Sequence, residues 1–333
     1  MSAVSTDVNL QAETFMFLEI VSRMRRITNQ VGTVSLLTAS FFAGYWTDKY
    51  MLKRANAATA QLPATSVQPS HIFTGSSSDL KIDYMKEQPS RASQIMRFGY
   101  PGFDNLRTFE DYVLSYDRRN RIAHWVVEHL SSDRLVYNTS VDRSKCQFHE
   151  DPSIHPYFKS TNKDYKDSGY DRGHLAAAGN HRRSQIAIDQ TFLLSNMAPQ
   201  IGKGFNRDKW NDLEKHVRKL ARKHKNVYVC TGPLFLPNLE KDGSLYIKYK
   251  VIGGNNIAVP THFFKVVLIE LMNGKLELEA YILPNAMIPD DTPLTSFMVP
   301  LDSIERAAGF LIFDKLPKNA LKKINGRSSN IIR

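Results

Sequence analysis

An α+β fold, a central antiparallel or mixed sheet with packed helices, is what this chain predicts. Three observations point there. Beyond residue 97, runs with strand character alternate with helical ones. Two of the strand runs, residues 263–271 (FFKVVLIEL) and 276–283 (LELEAYIL), flank Asn273-Gly274, a dipeptide that favours a tight hairpin. Before that pair lies a long helix, about residues 206–225, with Trp210, Leu213, Val217 and Leu220 on one apolar stripe. A composition of 42% hydrophobic residues over 333 is enough for a substantial core and excludes wholesale disorder. Two cysteines, Cys146 and Cys230, exclude a disulfide scaffold or a multi-cysteine zinc module.

Taken in order, the N-terminus is unlike the rest. Residues 27–47 carry no charge, and as a helix they would span about 31 Å, roughly one bilayer. Thr28, Thr33, Ser35, Thr38 and Ser40 dilute that span, and basic residues flank both ends, so charge selects no orientation. A buried helix of the globular domain is the competing reading. Asp7, Glu13 and Glu19 suit a transit peptide poorly, whereas the stretch from Met24 is basic, hydroxyl-bearing and free of acids up to Asp48, like a mitochondrial signal anchor. Residues 1–54 are therefore read as a targeting or membrane-anchor segment. Residues 55–95, rich in Ala, Ser, Thr, Pro and Gln, read as a disordered linker. The folded domain is expected over residues 96–318. Within it, residues 121–130 read as a half-buried strand, 226–231 and 246–252 as further strands, and 301–309 as a short helix after Pro300. Residues 319–333 read as a solvated basic tail.

The charge balance is 44 − 33 = +11, which points to an acidic partner such as nucleic acid or anionic lipid. Residues 203–225 alone hold nine Lys/Arg against three Asp/Glu, on a helix whose apolar stripe turns inward. That face is either merely solvated or in contact with phosphates. Asp171-Arg172-Gly173-His174 gathers a carboxylate, a guanidinium and an imidazole. A neutral imidazole accepts a proton from water near pH 7, and a guanidinium grips phosphate oxygens. Asn206 and Glu214, eight apart, lie about 80° apart and 12 Å along a helix. An amide oxygen, a carboxylate and retained waters suit Mg²⁺. Asn206 also sits where an N-cap is expected. His124 and His129, or His149 and His155, lack a zinc spacing. His262 reads as structural beside a strand, and Cys230 as a buried strand residue.

Together, DRGH at 171–174, LSNMAPQ at 194–200 and FNRDKWNDLE at 205–214 resemble the DNA/RNA non-specific endonuclease family, its mitochondrial members most closely. The likeness extends over about residues 98–318. It implies a ββα-metal (His-Me finger) fold and hydrolysis of DNA and RNA to products with 5′-phosphate ends. By position, His174 would be the general base and Asn206 the protein ligand of one Mg²⁺ or Mn²⁺, with Glu214 holding that ion's water shell. Arg172 and Arg143 would stabilise the phosphate transition state, and Asn196 would support water or His174. The resemblance further implies a homodimer, and the N-terminus suggests the mitochondrial inner membrane with the nuclease domain in the intermembrane space. A catalytically silent nucleic-acid-binding protein of the same fold is the rival from another class, and intact His174, Asn206 and Glu214 argue against it. A phosphodiesterase for small or lipid substrates is a second rival, disfavoured because a small ligand needs no extended basic helix.

Overall fold

The computed structural model describes residues 89–317 and 319–328. The uncharged span at 27–47, the linker up to residue 88 and residues 329–333 lie outside the described residues. No helix among the described residues is long and apolar enough to cross a membrane.

Helix α1 (Arg91–Ile95) opens the described chain, its first turn capped by the Ser90 hydroxyl, which accepts from the Ser93 N–H. Arg91 donates to Asp111 at 2.7 Å and to the His129 carbonyl at 2.8 Å, and Ile95 is buried. The linker boundary at residue 95 is thereby corrected: residues 91–95 have linker composition but find tertiary partners, which composition does not register. Strands β1 (Leu106–Thr108), β2 (Tyr112–Asp117) and β3 (Ile122–Leu130) follow as an antiparallel meander. Expected to be half-buried, β3 exposes only His124 of its nine residues, because both faces of the sheet are covered. Helix α2 (Asn162–Tyr165), strand β4 (Asp171–His174), helix α3 (Gln185–Gln190), strand β5 (Met197–Gln200) and helix α4 (Trp210–Lys223) make the next block.

Strand β6 (Asn226–Leu234) returns to the sheet, followed by the short β7 (Asn238–Leu239), β8 (Leu245–Tyr246), β9 (Val251–Ile252) and β10 (Ile257–Ala258). The single strand expected over 246–252 is thus two short pieces, with residues 247–250 exposed and outside any strand between them. Strands β11 (His262–Glu270) and β12 (Leu276–Pro284) form the expected hairpin, with Gly274 at φ +77 in its turn. Helix α5 (Leu301–Ala308) precedes β13 (Leu321–Ile324) and β14 (Arg327–Ser328). The eight-stranded sheet runs β1-β2-β3-β6-β11-β12-β13-β14, antiparallel except for the parallel β12–β13 pair. Part of the expected solvated tail is therefore sheet. Asn325 fastens it, its side chain accepting from the Ala280 N–H at 2.9 Å and donating to the Val299 carbonyl at 2.8 Å.

Alternation along the strands builds a core on each face. One face packs Val113, Trp125, Cys230, Val266 and Ala280 under Ile95, Leu301 and Ile304. The other packs Tyr112, Leu114, Val126 and Phe263 under Phe205, Trp210 and Leu213, continuing to Val217 and Ala221 against Val229 and Val267. On that second face the ribbon β4–β5 and helix α4 make a ββα unit outside the main sheet. The apolar stripe expected on α4 is present, with Ala221 fully buried where Leu220 is only partly so.

Candidate active site

The ribbon brings the DRGH residues opposite the LSNMAPQ residues: Asp171 pairs with Gln200, Arg172 with Pro199, Gly173 with Ala198 and His174 with Met197. Gly173 is required by packing, since a Cβ there would fall on the Gln200 side chain. After β5 the chain makes a wide turn over Gly202–Lys209 before the regular helix begins at Trp210. Gly204 sits in it at φ +83, where a Cβ would lie 2.6 Å from Met287 Cγ. Asn206 is inside this turn, its N–H bonded to the Ile201 carbonyl five residues back at 2.9 Å. The N-cap expectation for Asn206 is therefore not met: the regular helix starts four residues later, and the Asn206 amide reaches across to β4 instead.

A cleft of about 800 Å³ opens between ribbon, wide turn and helix, lined by Arg143, Arg172, His174, Asn206 and Glu214. Five of the six residues singled out from sequence thus meet in one place. His174 is wedged between aromatic rings, 4.9 Å from Phe192 and 5.7 Å from Phe148 by ring centroids. Its Nε2 has no hydrogen-bond partner among the described residues. Burial, with the charges of Arg143 and His181 adding to it, pushes the imidazole down to about 3, so it stays neutral. Arg172 lies over the Phe148 ring at 4.4 Å and donates to Asn162 at 2.7 Å. Asn162 in turn donates to the Phe148 carbonyl at 2.7 Å. Arg143, in a short 3-10 turn, is exposed; its guanidinium rests 5.8 Å from the Phe192 ring and forms no ion pair among the described residues.

Asp171 fixes the far wall. Its carboxylate takes two bonds from Arg207, at 2.6 and 2.8 Å, and one from Asn206 Nδ2 at 2.9 Å. Burial alone would raise this carboxyl, but the hydrogen bonds from Arg207 and Asn206 outweigh it and hold it below the ordinary range. With its NH₂ bound to Asp171, Asn206 turns toward the cleft an amide oxygen that accepts no hydrogen bond among the described residues. Glu214, one face of α4 along, is pushed above the ordinary carboxylate range by burial, against the pull of Lys265 and Arg218. Arg218 stands 3.8 Å from Glu214 and donates to Asn180 at 3.1 Å.

Asn196 is placed differently. It is fully buried and does not line the cleft. Its amide donates to the carbonyls of Ala176 and Thr191 at 3.0 and 2.9 Å and accepts from the Ala176 N–H at 2.9 Å. The expected support of water or His174 is thus indirect: Asn196 clamps the backbone two residues beyond His174. Phe148, Asn162 and Tyr165 line the cleft without having been singled out. Phe148 lies outside any helix or strand, and Asn162 and Tyr165 belong to the one-turn helix α2, too short to show a period; only the Thr161–Asp164 capping box leaves a local trace.

One amide oxygen and one carboxylate facing a cleft lined mainly by polar and cationic groups fit a divalent ion that keeps most of its waters. A dry cage of several ligands is a different site, and among the described residues no three His, Cys, Asp or Glu side chains group to make one. Two further sequence readings hold: Cys230 is buried within β6, and His262 bonds to Thr261 Oγ1 at 3.0 Å at the head of β11.

The sequence profile of the DNA/RNA non-specific endonucleases matches residues 91–319. The chain is 54% identical to mitochondrial endonuclease G of Caenorhabditis elegans, over 89% of this chain and 96% of that one. It is 52% identical to the human mitochondrial endonuclease G, over 71% and 79%. Among solved structures, a crystal structure of an EndoG/EndoGI complex matches with a TM-score of 0.71 at 58% identity, covering 72% of this chain and 98% of that chain. With the ββα unit and its cleft, these likenesses establish that the chain belongs to the DNA/RNA non-specific endonuclease family.

Proposed function

We propose that this protein hydrolyses phosphodiester bonds of DNA and RNA at the β4–β5–α4 cleft, leaving 5′-phosphate ends. The observation that carries the reading is the neutral His174, whose Nε2 has no hydrogen-bond partner among the described residues while Arg143, Arg172, Asn206 and Glu214 line the same cleft. In this role His174 takes a proton from the attacking water. Arg172, braced by Phe148 and Asn162, and the exposed Arg143 meet the charge that develops on phosphate oxygens. The Asn206 amide oxygen, aimed by Asp171, and Glu214 would hold Mg²⁺ or Mn²⁺, Glu214 through water. Bound there, such an ion neutralises charge at the scissile phosphate and the departing oxygen. Contacts confined to phosphates carry no base code, which fits cleavage without sequence preference.

The test uses plasmid DNA and RNA with Mg²⁺, Mn²⁺ or EDTA, beside His174→Ala. Metal-dependent degradation of both polymers, lost in the variant, is the expected result. Tight binding without cleavage in either metal would overturn the nuclease reading in favour of the silent binding protein.

The proposal extends to place and assembly. The protein resides in mitochondria, held at the inner membrane by its first 54 residues with the nuclease domain in the intermembrane space. Protease protection in isolated organelles, before and after rupture of the outer membrane, tests that placement. It acts as a homodimer, and Leu239, Leu245 and Ile247, 71%, 67% and 56% exposed around the β7–β8 ribbon, offer an apolar surface for a second copy to cover. Light scattering giving a monomer mass at micromolar concentration would remove the dimer from the reading.

A further inference from the structure

The basic charge of α4 is not spread around the helix. At about 100° per residue, with Glu214 as zero, Arg218 stands at about 40°, Asn211 at 60°, Arg222 at 80°, Lys215 at 100° and Lys219 at 140°. The buried residues Leu213, Val217 and Ala221 occupy the opposite arc. The cationic arc therefore begins at the cleft wall, where Asn211 and Glu214 both line the cavity, and continues outward. Along this arc Lys215 has Asp212 and Arg218 has Glu214, and in the turn before the helix Arg207 has Asp171. Lys219 and Arg222 are exposed and form no ion pair or hydrogen bond among the described residues. Burial lowers Arg218 from its ordinary value, and the neighbouring guanidiniums of Arg222 and Arg182 lower it further. Like charges are thus gathered just past the cleft, with fewer acids than bases to answer them.

We propose that Lys219 and Arg222, on the arc of α4 that leads out of the cleft past Arg218, form a track for the phosphates of the substrate strand beyond the scissile bond. From Glu214 to Arg222 the helix advances about 12 Å, a length that matches roughly three to four phosphates at about 3.4 Å of duplex axis each. A continuous polynucleotide fits this arrangement because a row of point charges meets a row of like-spaced anions. The track rests on the nuclease reading above, and it assigns α4 two jobs: its cleft-facing edge serves the chemistry, and its outer edge holds polymer.

The full chain in an inactive His174→Ala background, with and without Lys219→Ala plus Arg222→Ala, is titrated with a fluorescent 40-base-pair duplex from 50 to 300 mM salt. The double variant is expected to flatten the slope of log affinity against log salt by about 1.8, at about 0.9 per lost phosphate contact. In the active background, kcat/KM on the long duplex falls severalfold while a trinucleotide too short to reach the track is cleaved as before. An unchanged salt slope overturns the track. So does an equal loss on trinucleotide and duplex, which would mean that the two side chains act through the catalytic cleft or the fold. Lost binding to vesicles rich in phosphatidylserine with unchanged duplex binding would instead assign the arc to a membrane surface. If the parent protein cleaves neither substrate, it is the nuclease reading that fails, and the binding titration still decides the track.

Discussion

Asn196→Ala separates a residue that performs chemistry from one that holds a backbone. The substitution removes an amide that satisfies three buried groups, the N–H and carbonyl of Ala176 and the carbonyl of Thr191. An orphaned buried group costs about 1–3 kcal/mol, and the vacated space readmits water to some of them, so a loss of about 3–5 kcal/mol is expected. That is a large share of the roughly 5–15 kcal/mol that keeps a domain folded. Urea denaturation should therefore show a much lower midpoint at unchanged slope. Activity measured well below that midpoint should fall less than it does for His174→Ala, with the metal requirement unaltered. Asn196→Asp should do no better, since it turns an acceptor toward the two carbonyls that need a donor. A variant as stable as the parent within about 0.5 kcal/mol, the range of ordinary surface substitutions, yet slowed a hundredfold would refute this placement. It would show Asn196 acting on the reacting groups, as the motif alone suggested.

Other expectations follow from the same geometry. Asp171→Ala frees the Asn206 amide to turn, so the metal concentration for half-maximal activity should rise at least tenfold, and direct Mn²⁺ binding should weaken in parallel; unchanged Mn²⁺ binding would mean that Asp171 does not aim Asn206. The ordinary imidazole pKa places the acid limb of kcat/KM near 6.5, but burial lowers His174, so the base form persists to more acid pH and that limb should lie at least one unit lower at saturating metal; a midpoint at 6.5 would refute the burial. Because the folded state then binds fewer protons than the unfolded one, His174 contributes stability that is full above pH 6.5 and is lost as pH falls from there toward about 3, which denaturation at stepped pH values can follow. Lys265→Met leaves Glu128 and Glu214 without a shared countercharge and should cost about 3 kcal/mol or more in urea denaturation, whereas no change would show the layer to be wetter than its 2% exposure implies.

The parts of this site legible in the sequence are those carried by contiguous runs. Asp171 to His174 and Leu194 to Gln200 are each short enough to be one strand and its approach, and Trp210 to Lys223 is one helix, so local pattern and function coincide. Asn273-Gly274 was readable for the same reason. Phe148, Asn162 and Tyr165 were not, because an irregular residue and a one-turn helix reach the cleft only through tertiary contacts. Asn206 shows a finer limit. Its residue type reads as an amide ligand and a helix-start signal, but a wide turn made possible by Gly204 moves the helix start to Trp210 and gives the amide NH₂ to Asp171. Leu321 to Ile324 reads as a basic tail in composition, yet parallel pairing with β12 makes it sheet.

The sheet does more for the cleft than support α4. Side-chain alternation sends Glu128 of β3, Thr231 of β6 and Lys265 of β11 toward the helix, on the same face as Val126 and Val267. Thr231 and Lys265 are direct cross-strand partners, and the lysine donates to the threonine hydroxyl at 2.7 Å while its ammonium lies 4.8 Å from the Trp210 ring. Glu128, 1% exposed, accepts from Asn180 at 2.9 Å and is bonded to His181 at 2.9 Å, and Asn180 receives Arg218 in turn. Burying such charges costs several kcal/mol per ion, and an apolar layer of equal volume would pack at no such cost. What an apolar layer could not do is oppose the charge of Glu214 from below while leaving its other side open to the cleft. Lys265 and Arg218 do that from two directions, one rooted in the sheet and one in the helix. The loop that follows His174 is tied to the same layer through Asn180 and His181. The imidazole and the carboxylate, on different elements 40 residues apart, therefore share one electrostatic floor, and a change in that floor moves both.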